Sequence, residues 1–329
     1  MSAARRPKVL IIADDDDVHA QALCRYYESS KTAEAYLLNS ALFPQRVKLS
    51  YTTSEQSTFL TLESGRTLVD EEITGIWWRR PKPHDIDQNI KEERARKFAA
   101  AESRALFQGW LCRCGDRVIN PIVSDRFAHF KPFQLAMASS VGLNVPDTLI
   151  SNDEPRIAQF LDRWDKKVIF KILTTTPWQV TETKSWRPEY NSMLNLASLA
   201  PLIWQQRIDR GRDFRVTVID DELAVAEIIP DRPDAQLDWR LDICARVLPA
   251  TLPNDICVKL LRLTRKLGLR YGAIDLREDN DGRMWFFEVN PGGQFLFKDV
   301  HGKIPVLPLM AKALTHRSTE AQDRRGEGC

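Results

Sequence analysis

The stretch Trp285–Gln294, WFFEVNPGGQ, constrains the fold more than any other part of the chain. An aromatic strand ends in Glu288, Val289 and Asn290 and then enters a Pro-Gly-Gly turn. Residues two apart share a face of a strand, so Glu288 and Asn290 present their oxygens on one side. Upstream, YGAIDLRE is joined by DNDG to RMWFFEVN, which reads as an antiparallel hairpin. With the turn centred on Asn280-Asp281, Glu278 pairs with Arg283, Asp275 with Phe286 and Ala273 with Glu288. Opposed residues share a face, so Asp275, Arg277, Glu288 and Asn290 project from one side. The diagonal from Asp275 to Glu288 is then roughly 7 Å at the backbone. Their side chains can close that gap around a cation held at about 2.1 Å per oxygen. Oxygen donors without histidine or thiolate suit magnesium or manganese. The plainer account of these residues is a capped strand end entering a turn. A register slip of one residue would send the two carboxylates to opposite faces.

Composition narrows the classes of function. A net charge of +2 makes no electrostatic case for a nucleic-acid or membrane surface. No apolar run approaches the roughly 20 residues that span a bilayer. The start, MSAARRPKVLIIADDDD, reads as a first strand and its loop, not as a signal peptide. Of the six cysteines, Cys112 and Cys114 are closest in sequence, and they would need two distant partners to ligate a metal. Free thiols of a reducing, cytoplasmic compartment are the simpler account. The four aspartates read as a solvated loop with charges at a helix N-terminus.

The chain divides into an N-terminal region to residue 122, a central lobe at 123–200, a C-terminal lobe at 201–318 and a disordered tail at 319–329. In the first, KVLIIA is a buried strand, Asp17 caps a helix to residue 30, and EITGIWWRRP is a strand stopped by Pro81. Its first strand-to-helix loop lacks a Gly-rich fingerprint, which argues against a dinucleotide site there. His19 reads as structural. Trp77 and Trp78 read as core and interface, and the sequence leaves open whether Arg79 or Arg80 faces a cleft. A helix runs from about Ile90 to Cys114, closed by Gly115. In the central lobe one helix stops at Gly142, and VIFK leads to Lys171 at a strand end. TTTPWQVTETKSWRPEY reads as a flap, where Trp178 and Trp186 either touch a peptide or pack. In the C-terminal lobe, Asp220-Asp221 turns one hairpin, an amphipathic helix covers 254–269, and the Asp275–Asn290 hairpin closes the site.

Together these residues resemble the ATP-grasp ligases, in which two α+β lobes clamp ATP. The resemblance implies an α/β protein with an N-terminal pre-ATP-grasp domain before those lobes. Asp275, Glu288 and Asn290 match the family's metal ligands, and Lys131 and Lys171 its phosphate-binding lysines. IWQQRIDRGRDFRVTV is similar to its hinge strand. That likeness places Gln206 at the acceptor for the adenine amino group, where glutamate is usual, and Asp213 at the ribose hydroxyls. Gln205 and Ile208 complete the nucleotide set. A guanidinium matches a carboxylate or an acyl phosphate bidentately, so Arg215 and Arg277 are the candidates to hold the substrate side, Arg215 first, with Lys171 as a third catalytic group. GIWWRRP, KPFQLAMASSVGLNVPDTLISND and FEVNPGGQFLF narrow the resemblance to the microviridin-type peptide ligases, the graspetide synthetases. Phe295 and Phe297 stand where that family more often has tryptophan. Such enzymes use ATP with Mg2+ or Mn2+ on a leader-bearing precursor peptide. They activate an Asp or Glu side chain and close it onto Ser, Thr or Lys. The resemblance also implies a homodimer in the cytoplasm. A RimK-like ligase adding free amino acids, or an inactive nucleotide-binding ATP-grasp module, are the alternatives.

Overall fold

The computed structural model describes residues 6–174, 183–209, 211–232, 235, 237–242 and 244–316. Trp178 with the rest of 175–182 in the expected flap, and the tail, lie outside the described residues. The N-terminal third comprises β1 (Lys8–Ile12), α1 (Val18–Ser30), β2 (Glu34–Leu38), β3 (Lys48–Thr52), β4 (Ser57–Thr61), β5 (Thr67–Val69), β6 (Ile73–Trp78), α2 (Glu93–Cys114) and β7 (Val118–Ile119). The four strands β2-β1-β6-β7 form a parallel sheet, and β3-β4-β5 an antiparallel one. Every residue from Val9 to Ile12 is buried, as expected of a parallel strand covered on both faces. Asp17 caps α1 as its position predicts, accepting from the His19 and Ala20 amides at 2.9 Å. α2 begins at Glu93 and ends at Gly115, whose φ of 55° is left-handed.

The central region contains α3 (Ile122–Ala128), α4 (Lys131–Ser140), β8 (Thr148–Ser151), α5 (Glu154–Arg163), β9 (Val168–Lys171), β10 (Lys184–Ser185) and β11 (Leu202–Gln206). The single helix expected before Gly142 is two helices. Pro132, which has no amide hydrogen to donate, sits in the first turn of the second, where that hydrogen would go unused. The strands form an antiparallel sheet in the order β10-β9-β11-β8. Behind it, Phe170, Trp186, Tyr190 and Trp204 pack edge to face and tilted, with ring centroids 5.4–6.3 Å apart. Trp186 is therefore a packing residue, buried in this cluster.

The C-terminal region follows: β12 (Gly211–Ile219), β13 (Glu222–Ile229), β14 (Arg246–Pro249), α6 (Asn254–Lys266), β15 (Tyr271–Asp279), β16 (Met284–Asn290), α7 (Leu296–His301) and α8 (Val306–Thr315). Its antiparallel sheet runs β14-β13-β12-β15-β16, with α6 packed on one face through Ile256, Leu260 and Leu263. Beyond the sheet the chain returns to the N-terminal region. Met310, Ala311 and Leu314 of α8 share one apolar cluster with Val9, Ile11, Tyr27 and Trp77. The approach is close enough that a Cβ on Gly75 would lie 2.2 Å from the Leu314 carbonyl oxygen. The N-terminal core is thus completed by residues more than 300 positions along, which a division into consecutive segments does not convey. No helix among the described residues is long and apolar enough to cross a membrane.

His19 belongs to this junction. Its Nε2 accepts from the Phe295 and Leu296 amides at 3.1 and 3.3 Å, so the ring is held neutral. Burial, then the neighbouring Arg79, push its pKa down to about 3. The unfolded histidine titrates near about 6.5. Between these values the unfolded chain binds the extra proton, so stability falls as pH drops below about 6.5. A His19→Gln variant keeps an acceptor and lacks the titration. Its melting temperature should fall less than the wild type's between about pH 7 and pH 5, and an unchanged acid slope would refute the assignment.

Candidate active site

The expected hairpin forms, but in a different register. The observed pairs are Glu278–Met284, Arg277–Trp285 and Leu276–Phe286, then Asp275–Glu288 and Ala273–Asn290. The turn is one residue longer than expected, because Asp279 folds it. The Asp279 carboxylate accepts from the Asp281 and Arg283 amides, and Gly282 takes a φ of 76°. That alone would have turned the carboxylates apart. A bulge between Asp275 and Leu276 adds a second single-residue shift on β16. The two shifts together restore the phase, so Asp275 and Glu288 are directly paired and not diagonal. Phe287 is the extra residue, and it lines the cleft beside Glu288.

An open cleft lies between the central and C-terminal sheets. Lys171, Gln205, Gln206, Ile208, Asp275, Arg277 and Glu288 line it. Lys131, Arg215 and Asp213 touch these from behind or beside, while Asn290 is paired with Ala273 at the end of β16. Lys131 Nζ lies 2.6 Å from Glu288 Oε2. Arg215 donates from Nη1 to both oxygens of Asp275, at 2.7 and 2.8 Å. Arg277 grips Asp213 through Nε and Nη2 at 2.7 Å each, donates to the Ile208 carbonyl at 3.1 Å, and lies over the Phe287 ring. Arg277 is thus held on the side of the expected ribose carboxylate. Asn290 Oδ1 accepts from the Gly292 amide at 3.0 Å. Among the described residues no group of three His, Cys, Asp or Glu side chains converges.

The two cleft carboxylates are electrostatically unlike. Burial pushes Glu288 up, but Lys131 and Lys171 outweigh it and hold the group well below the usual carboxylate range. Burial raises Asp275, against the pull of Arg215 and with the Glu288 charge adding to the rise. Burial also lowers the Lys171 ammonium, which Glu288 opposes and Lys131 reinforces. Asp213 is raised by burial in spite of Arg277.

Gln205 and Gln206 both line the cleft, from alternate faces of β11. On the β11–β9 ladder Gln205 pairs with Ile169 and Ile203 with Lys171, which puts Gln205 on the face of Lys171. Gln206 pairs with Val168, part of the core behind the sheet. The Gln206 Oε1 accepts from the Asp147 amide at 3.3 Å. Gln205 is 1% exposed and donates from Nε2 to Thr148 Oγ1, while its buried Oε1 has no hydrogen-bond partner. A buried acceptor without a partner is a costly arrangement unless something else bonds it.

Three further side chains were not anticipated. Arg240 lines the cleft and is held by Asp238 through Nε and Nη2 at 2.7 and 2.6 Å. It lies in a Pro- and Asp-rich stretch where periodicity has nothing to report. Gln134, fully buried on α4, bonds the Val289 carbonyl and amide at 2.8 and 3.0 Å. It thereby pins the edge strand between Glu288 and Asn290. Phe287 reaches the cleft only through the bulge.

A family model described as the MvdD pre-ATP grasp domain matches residues 8–126. The macrocyclase MdnC of Microcystis aeruginosa, solved with its precursor peptide MdnA, is 25% identical with a TM-score of 0.82, over 94% of this chain and 100% of that one. A RiPP-associated ATP-grasp ligase of Chryseobacterium gregarium, solved with ADP and a leader and core peptide, is 23% identical with a TM-score of 0.83, over 94% and 96%. D-alanyl-alanine synthetase A of Vibrio cholerae shares the fold at 13% identity and a TM-score of 0.59, over 98% of each chain. A search of the curated proteins found no match.

Proposed function

We propose that this chain, an ATP-grasp ligase of the graspetide-synthetase type, activates Asp or Glu side chains of a leader-bearing precursor peptide and closes them into rings. The observation that carries the proposal is the pairing of Asp275 with Glu288 on the cleft face, opposite Lys171 and beside Lys131. The donor set suits a hard cation: Asp275, Glu288 and the Asn290 carbonyl would hold magnesium, or manganese in its place. Such an ion, when bound, would offset the charge of the phosphates. Lys171 meets phosphate as a point charge. Asp213, oriented by Arg277, takes the ribose hydroxyls. The unmet Gln205 Oε1 accepts from the adenine amino group, a role the family pattern had put on Gln206.

In the reaction a peptide carboxylate oxygen attacks the γ-phosphorus and ADP leaves. A Ser or Thr hydroxyl, or a Lys amine, then attacks the acyl carbon. Inorganic phosphate leaves and the attacking group gives up its proton. The sum is one ATP converted to ADP and phosphate and one water lost from the peptide per ring. Phosphoryl transfer of this kind depends on positioning and charge neutralisation more than on a protein nucleophile. Arg240, half-exposed in the cleft lining, would meet anionic groups of the substrate, and Arg215 would act through Asp275.

Intact mass of an acidic precursor peptide encoded beside this chain, co-expressed with it, tests the proposal. Loss of one water per ring is expected. A gain of one amino-acid mass would make the protein a RimK-like ligase, and nucleotide binding without turnover would make it a binding module.

A further inference from the structure

We propose that the N-terminal domain sets the position of Asn290 through Arg79, which is thereby a positioning residue for the metal end of the cleft. The proposal rests on the reading of Asn290 as a metal donor. Immediately after Asn290 the chain presents three successive carbonyls, and each is held from outside the loop. Asn120 Nδ2 donates to the Pro291 carbonyl at 3.1 Å. Arg79 Nη1 donates to the Gly292 carbonyl at 3.4 Å, and Arg80 Nε to the same oxygen at 3.2 Å. The Gly293 carbonyl takes Arg79 Nη1 at 3.3 Å and the Tyr271 hydroxyl at 2.8 Å. Apart from Tyr271, every one of these donors belongs to the N-terminal region.

The loop in turn controls the donor. Asn290 Oδ1 accepts from the Gly292 amide, so the direction of the amide side chain follows the place of Gly292. The loop has no slack toward β15. A Cβ on Gly293 would lie 2.3 Å from the Ala273 Cβ and 2.9 Å from Arg215 Nη2. Arg79 is itself fixed, 2% exposed, with Nε 3.0 Å from Asp17 and its guanidinium over the Trp77 ring. Its Nη2 is buried without a hydrogen-bond partner. Stability alone does not favour a buried guanidinium with an unmet donor, whereas rigid placement of two carbonyls accounts for it.

The test measures Mn2+ binding by the depletion of its free electron-paramagnetic signal, in the presence of a non-hydrolysable ATP analogue. The proteins are wild type, Arg79→Lys, Asn290→Ala and the double variant. Lysine keeps the charge and loses the fork. Groups that orient a ligand typically change metal affinity by tenfold or more, so Arg79→Lys should weaken Mn2+ binding about tenfold. Affinity for the analogue without metal should stay the same, and excess magnesium should restore kcat. In the Asn290→Ala background Arg79→Lys should add nothing, because the two act through one donor. A folded Arg79→Lys protein with wild-type Mn2+ binding overturns the proposal, as does a full effect added to Asn290→Ala. If Asn290→Ala alone leaves Mn2+ binding unchanged, the reading of Asn290 as a donor falls first, and the proposal with it. Should Arg79→Lys not melt cooperatively, Arg80→Ala is measured in its place. Arg80 is exposed and shares the Gly292 carbonyl, so a weakening of about threefold is expected, and unchanged binding there overturns the proposal.

Discussion

Glu288→Gln is expected to lower ATP-dependent turnover about a thousandfold while leaving the protein folded. The substitution keeps the shape of the side chain and removes its charge. That charge is present throughout the neutral range, because Lys131 and Lys171 hold the carboxyl well below its ordinary value against the effect of burial. Glutamine therefore removes the Glu288 charge that, in the proposed role, the Asp275–Glu288 pair would present to a divalent ion. It also leaves the Lys131 ammonium without its partner at 2.6 Å. Loss of one electrostatic group aimed at a transition state typically costs 10²–10³ in rate, and a metal ligand stands at the upper end because positioning is lost as well. ADP release in a coupled assay measures the effect, and the melting curve checks the fold. A Glu288→Gln enzyme within about tenfold of wild type would place the metal elsewhere.

Arg277→Met is expected to lower both stability and nucleotide affinity, with the precursor peptide bound as before. Asp213 and Arg277 form a buried pair with two bonds of 2.7 Å. Burial already raises Asp213, and Arg277 is what opposes it. Breaking such a pair leaves an uncompensated buried charge and costs about 3–5 kcal/mol. With its counter-ion gone the carboxyl shifts further toward the neutral form, which bonds ribose hydroxyls less well. The KM for ATP should rise at least tenfold and the KM for peptide should hold. The opposite pattern would return Arg277 to the substrate-carboxylate role that its guanidinium chemistry suggests.

Much of this site can be read from sequence because its donors sit at regular spacing. Strand periodicity alone puts Asp275, Glu288 and Asn290 on one face, whereas Lys131 and Lys171 come only from the resemblance to the ATP-grasp ligases. What periodicity misses is irregular backbone. The Asp279 turn and the bulge at Phe287 each shift the register by one, and only their sum puts the carboxylates opposite each other. A period-2 reading with a two-residue turn reached the right face through the wrong pairs. The choice between Gln205 and Gln206 shows the same limit, since it turns on the pairing of β11 with β9 and not on residue type. Long-range packing is equally silent: nothing local to α8 says that Leu314 closes on Gly75, or that Gln134 will pin the edge of β16. Arg79 was left open between core and cleft, and it joins the two, buried in the first while bonded to the loop beside the second.

The most direct test of the central claim follows the oxygen. Precursor peptide carrying 18O in its Asp and Glu carboxylates is incubated with the protein, ATP and magnesium, and the released phosphate is weighed by mass spectrometry. Activation of a peptide carboxylate by the γ-phosphoryl group predicts one 18O in the inorganic phosphate per ring closed, with ADP as the other product. Phosphate free of label, or AMP in place of ADP, would contradict it.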